Sequence, residues 1–360
     1  MSNVDCRLQS VTGLHVAAEP QPKMRFSQRR KVRKAHKSWR SWRLCEKSSQ
    51  EGNNLTDCSI YLSKCELCPR RCGVDRTSGK TGFCKGGGVA EVFRYAAHPG
   101  EEPPISGING SGTIFFSRCT LKCVYCQNFP WSQEGKGGRY GAEELARVFE
   151  ELREVGCHNW NVVSPTPWLP MIRTAVAAAK RSGKSLPLVY NTSGFENPEI
   201  LEEFRDVANV YLTDLRYSNE ESAQEGSGSS LYVKFARAAL EKMWKLAGPL
   251  KTNEDGVAVS GTICRMLVLP GRANEAIDNL RWMAETIGNE ISLSLMAQYL
   301  PLYKAGSLES WNRRITLEEY TMVCEEAERL GFSEGWIQEF GGAAPSHLIG
   351  HEMKGVVGHR

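Results

Sequence analysis

The stretch Cys119-Thr120-Leu121-Lys122-Cys123-Val124-Tyr125-Cys126 sets three thiols at spacings of four and three residues. Thirteen cysteines in 360 residues make about 0.02 such patterns expected by chance. A thiolate is a soft anionic ligand, so the pattern points to a metal centre. A [4Fe–4S] cluster held entirely by protein takes four thiolates, so three leave one iron open to another molecule. Two readings stand beside it. One is tetrahedral zinc completed by a further ligand, and the other is a set of unligated buried thiols.

A second set lies upstream, Cys65-x2-Cys68-x3-Cys72-x11-Cys84, among Gly73, Gly79, Gly82, Gly86, Gly87 and Gly88. Four thiolates suit either zinc or a fully ligated [4Fe–4S] cluster, and the glycines suit a tight loop around it. Disulfides and free thiols are the remaining readings. Cys6, Cys45, Cys58, Cys157, Cys264 and Cys324 stand alone and read as packing or surface cysteines.

The loop of Cys119 follows directly on the apolar run 112–116. Further strand-like runs cover 161–164, 186–190, 210–213, 262–269 and 291–296. Helical patterns over 142–155, 168–181, 229–247, 273–286 and 317–330 alternate with them. Strand, loop and helix repeated six times predict an α/β fold with a parallel sheet. The nearly continuous apolar runs predict strands covered on both faces. Asn191, Asp214, Pro270 and Gln298 then fall at the carboxyl ends, where α/β barrels and doubly wound sheets carry their sites. Periodicity alone leaves a barrel and an open sheet as alternatives.

A formal net charge of +4 is too small to argue for nucleic acid. No apolar run reaches the roughly 18 residues of a membrane span, and no apolar segment follows the N-terminus as in a secretory leader. The expectation is a cytoplasmic protein whose cysteines bind metal rather than pair. Residues 1–57 hold a basic run from Arg25 to Arg43 and no apolar period. They read as a solvated extension, an organelle-targeting segment or an arm for RNA or a partner. The expected divisions are 1–57, a cysteine-rich segment and linker over 58–108, the α/β region over 109–340, and a Gly/His tail over 341–360 with His347, His351 and His359. His98, before Pro99 in the linker, reads as a structural histidine. As whole-protein alternatives, two fully ligated clusters would make an electron-transfer protein. Zinc at Cys65–Cys84 would make a binding module for RNA or a partner.

Cys119 to Cys126 with Gln127-Asn128 resembles the signature loop of the radical S-adenosylmethionine (SAM) enzymes. Further segments are similar to an uncharacterised branch related to pyruvate formate-lyase activating enzymes. These are Glu101 to Gly107, Gly110 to Phe116, Val189 to Glu196, and Gln298-Tyr299 with Pro301. The resemblance covers about Cys65 to Phe340. It implies a partial (β/α)6 TIM-like barrel with an N-terminal cysteine-rich segment, and a [4Fe–4S] cluster on Cys119, Cys123 and Cys126. The open iron would chelate SAM. One electron would cleave it to methionine and a 5′-deoxyadenosyl radical that abstracts hydrogen from the substrate. Implied partners are a reductant such as flavodoxin or ferredoxin, and a protein substrate activated at a glycine. A small-molecule substrate is the alternative.

The resemblance also implies roles for single residues. Tyr125 would lie near the adenine. Ser164 and Thr166 stand where the superfamily usually has a glycine-rich acidic segment for the methionine amino group. Asn191, Ser193 and Glu196 would lie near the ribose or methionine moiety, although all three also suit a capped turn. Asp214 ends strand four and Arg216 follows. Arg265, within an apolar strand, requires a carboxylate partner, and the cofactor's own is one candidate. Gln298 and Tyr299 would face the substrate, whereas Met296 reads as core.

Overall fold

Apolar runs bounded by turn residues form one mixed sheet in the computed structural model, which describes residues 58–183 and 185–341. The expectations for residues 1–57 and for His347, His351 and His359 lie outside that range.

The strands are β1 (Ala90–His98), β2 (Ser111–Phe116), β3 (Gly138–Tyr140), β4 (Trp160–Val163), β5 (Leu188–Thr192), β6 (Val210–Asp214), β7 (Lys251–Thr252), β8 (Ala258–Leu267), β9 (Ser292–Met296) and β10 (Gly335–Ile337). Their order is β10-β9-β8-β6-β5-β4-β2-β1-β3, with β7 paired to β8. From β2 to β10 every step along this path is parallel, while β1 and β3 continue it antiparallel. The parallel strands follow chain order in one direction, the winding of a β/α barrel. Among the described residues the pairing path ends at β10 and β3, so the sheet stays open.

Short helices α1 (Cys58–Ser63), α2 (Pro103–Ser106) and α3 (Phe129–Ser132) precede the main crossovers. These are α4 (Ala142–Glu154), α5 (Leu169–Ser182), α6 (Pro198–Glu203), α7 (Glu220–Ser227), α8 (Tyr232–Ala247), α9 (Ala273–Thr286) and α10 (Leu317–Arg329). Leu145, Val148, Phe149 and Leu152 form the buried face of α4, as their spacing predicts. The Thr316 hydroxyl accepts from the Glu319 amide at 3.1 Å, and the Glu319 carboxylate accepts from the Thr316 amide at 2.8 Å. That reciprocal pair fixes where α10 starts. Among the described residues no helix is long and apolar enough to cross a membrane.

Pro99 to Pro104 reads in sequence as a turn-rich linker, but the chain there turns inward. Ile105 is fully buried and packs with Val189, Val210, Leu212 and Ile263. Glu101 and Glu102 enter the same interior and meet Arg265. The segment thus plugs the sheet. Sequence periodicity missed α6, α7 and β10, which are too short or too polar to show a period.

Candidate metal centre at the carboxyl ends of the strands

Parallel pairing brings the ends of β2, β4, β5, β6, β8 and β9 to one edge of the sheet. Two residues after β2, Arg118 adopts a left-handed conformation (φ 71°) and pairs with Glu91 at 2.7 Å. This turn sends Cys119 to Cys126 across that edge. Backbone bonds hold the loop: Lys122 N–H to Ser227 O, Val124 N–H to Gly226 O, and Lys304 and Ala305 N–H to Val124 O, all 2.9 Å. A side chain on Gly226 would come within 2.4 Å of the Tyr217 hydroxyl and 2.5 Å of the Trp311 ring, so only glycine allows the loop this close.

Cys119, Cys123 and Cys126 all sit on this one loop. Burial pushes the Cys119 and Cys123 thiols up to about 11 and raises Cys126 as well. Partners of thiolate character are nonetheless in place. Leu121 N–H donates to Cys119 Sγ at 3.4 Å, and Arg216 Nη1 lies 3.3 Å from Cys123 Sγ. Cys126 Sγ and the Ser132 hydroxyl are 3.2 Å apart. Arg216 is itself paired with Asp214. Among the described residues no three His, Cys, Asp or Glu converge tightly enough to hold a single ion.

The structure distributes the other expected site residues between two roles. Ser164 (φ 58°), Ser193, Asp214 and Gln298 remain at least partly accessible at the strand ends. Gln127 Nε2 donates to the Gln298 carbonyl at 3.2 Å, which ties the end of β9 to the cysteine loop. The rest turn inward. The Tyr125 ring stacks on Trp311 at 5.3 Å and its hydroxyl bonds Tyr217 at 2.6 Å, so the ring braces the loop from behind. Tyr299 is buried and donates to the Trp311 carbonyl at 2.7 Å. Arg265 pairs with the carboxylates of Glu101 and Glu102. Asn191 joins that network, donating to Glu101 Oε1 at 3.4 Å.

Glu196 is fully buried and accepts from the hydroxyls of Thr166 (2.6 Å), Tyr190 (3.2 Å) and Thr192. It therefore clamps the end of β4 to the end of β5. Burial pushes its carboxyl up to about 7, against an ordinary 4.5. A raised carboxyl pKa makes its contribution to stability complete below pH 4.5 and lost as pH rises through 7. The loss amounts to up to about 3 kcal/mol. The melting temperature of the wild type is expected to fall between pH 5 and pH 8, and Glu196→Gln is expected to flatten that slope. Equal slopes in thermal denaturation would remove Glu196 as its source.

The upstream cysteines lie against the same edge. Arg70 Nε donates to the Thr120 carbonyl at 2.9 Å and Nη2 to Gly228 O at 2.8 Å. Phe83 sits under the Arg70 guanidinium, 3.4 Å from its ring centroid. None of the described cysteines is in a disulfide.

The radical SAM superfamily model matches residues 113–280 of the chain. An uncharacterized protein of Methanocaldococcus jannaschii is 28% identical over 291 residues, covering 77% of this chain and 79% of that protein. Among solved structures, native anSMEcpe with bound AdoMet is 14% identical at a TM-score of 0.40, covering 61% of each chain. Methylornithine synthase (PylB) is 14% identical at a TM-score of 0.41, covering 62% of this chain and 63% of its own. The FeFe-hydrogenase maturase HydG from Carboxydothermus hydrogenoformans is 14% identical at a TM-score of 0.40, covering 67% of this chain and 55% of its own.

Proposed function

We propose that this chain is a radical SAM enzyme whose [4Fe–4S] cluster is held by Cys119, Cys123 and Cys126. The observation that supports the reading is that Cys119, Cys123 and Cys126 share one loop at the carboxyl end of β2, pinned there by the backbone of Gly226, Ser227, Lys304 and Ala305. The donor set fits the group: three soft ligands, two of them backed by a hydroxyl or a guanidinium. When bound, the reduced cluster supplies an electron that cleaves SAM to methionine and a 5′-deoxyadenosyl radical for hydrogen abstraction.

The chain's own residues prepare that chemistry. Leu121 N–H, the Ser132 hydroxyl and Arg216 place positive partial or full charge beside the sulfurs and favour their thiolate forms. Tyr125, Tyr217, Tyr299 and Trp311 pack behind the loop and keep water from that side. Ser164, Ser193 and Asp214 supply the accessible oxygens for an ammonium and a ribose, with Thr166, Asn191 and Glu196 holding their strands in place. Gln298 is the accessible residue toward substrate. The same proposal includes a sheet curved into a partial (β/α)6 barrel and an electron donor such as flavodoxin or ferredoxin. By the resemblance to activating enzymes, a glycine of a partner protein is the proposed substrate class.

The test is paramagnetic resonance of the anaerobically reconstituted, reduced full chain with and without SAM. A cofactor-induced change of the signal is expected, because nitrogen and oxygen donors join the open iron. A spectrum that SAM leaves unmoved contradicts the proposal.

A further inference from the structure

We propose that Cys65, Cys68, Cys72 and Cys84 form a second, tetrathiolate metal centre whose negative charge is offset by the buried guanidinium of Arg76. These residues precede the 113–280 region that the superfamily model matches.

All four cysteines line one small cavity, together with Arg70, Arg76, Phe83 and Thr120. Backbone amides are aimed at three of the sulfurs. Phe83 N–H donates to Cys72 Sγ and Gly86 N–H to Cys84 Sγ, both at 3.4 Å, and the Arg70 amide donates to Cys68. The amide two residues beyond the cysteine is the donor at Cys68 and Cys84, as it is at Cys119 and Cys126 in the barrel loop. Cys68 and Cys84 thus share with Cys119 and Cys126 a turn whose amide favours thiolate over thiol.

Arg76 supplies the independent observation. Its side chain is 2% exposed. It donates to the Gly87 carbonyl and, at 2.7 Å, to the Pro167 carbonyl, and Nη1 lies 3.8 Å from Cys65 Sγ. Among the described residues no carboxylate pairs with it. Carbonyl oxygens of Gly87 and Pro167 and the Trp168 ring, 5.2 Å away, meet the guanidinium, but they supply no full negative charge to offset it, and neutral thiols add none. Four thiolates on a metal carry net negative charge. They satisfy Arg76 from within the cavity, with Arg70 and Lys122 on the side facing Cys119.

The ligand chemistry is shared by a single zinc ion and a fully ligated [4Fe–4S] cluster. The cavity, at about 20 Å³, is ion-sized, while the sulfurs stand too far apart to share one ion as they are. Seating a single zinc therefore requires the thiols to rotate, seating a cubane requires the cavity to widen, and the experiment decides between the metals.

The full chain is purified anaerobically from iron- and zinc-supplemented cells, reconstituted with ferrous iron and sulfide, and analysed for iron, zinc and sulfide. The wild type is expected to hold about four irons for the barrel loop. In addition it is expected to hold either about four more irons with sulfide or about one zinc. The addition should disappear in Cys65→Ala/Cys68→Ala and remain in the Cys119→Ala/Cys123→Ala/Cys126→Ala variant. Arg76→Met should retain the addition about tenfold less well against a chelator. A wild type without the additional metal overturns the proposal, whether or not the variants fold. So does additional metal that survives loss of Cys65 and Cys68. Failure of the barrel-loop reading looks different: the first four irons are then missing or insensitive to loss of Cys119, Cys123 and Cys126.

Discussion

Cys123→Ala is expected to lower 5′-deoxyadenosine production at least about a hundredfold. Loss of a partner that only orients a ligand already costs ten- to a hundredfold in metal affinity or activity, and Cys123 is a proposed ligand. Its sulfur is buried beside Arg216 Nη1 at 3.3 Å, so no water enters freely to replace it. The fold should survive, because the loop is held by the backbone of Lys122, Val124, Lys304 and Ala305 rather than by this side chain. Product analysis after reduction, with circular dichroism as the control, checks both halves. Undiminished product would show that cleavage does not depend on this loop.

The largest effect on stability is expected from Arg265→Met. Arg265 Nε donates to Glu102 Oε1 at 2.7 Å, Nη2 reaches Glu102 Oε2 at 2.6 Å, and Glu101 is bound as well. Removing the cation leaves two buried carboxylates without a charge partner. Breaking a buried pair costs about 3–5 kcal/mol, or roughly a 4–8 °C drop in melting temperature for a protein of this size. The triple variant Arg265→Met/Glu101→Gln/Glu102→Gln is expected to recover most of the loss, since it removes the charges together. An Arg265→Met protein that melts within about 2 °C of wild type would mean the network is not a charge balance.

The elements most visible in the sequence were those with a strong period. The α4 face and the strand ends at Asp214 and Gln298 fell where spacing put them, because buried helices and strands must repeat their apolar residues. The cysteine loop was visible because ligand spacing is local. What sequence could not show was which way a side chain turns. Tyr125 and Tyr299 stand at the right places along the chain, yet both rings pack inward around Trp311, 186 and 12 positions away in sequence. Thr166 and Glu196 bond each other, a contact between the ends of two strands that no local pattern encodes. The need of Arg265 for a carboxylate was readable from its apolar strand. Its partners 163 and 164 residues away were not.

The measurement closest to the central claim is anaerobic reconstitution of the full chain, reduction, and quantification of 5′-deoxyadenosine formed from added SAM. The three-thiolate loop predicts product that requires both reductant and cluster and that vanishes when Cys119, Cys123 and Cys126 are replaced by alanine. A reconstituted wild type with its full iron and sulfide that yields no 5′-deoxyadenosine under reduction would contradict it.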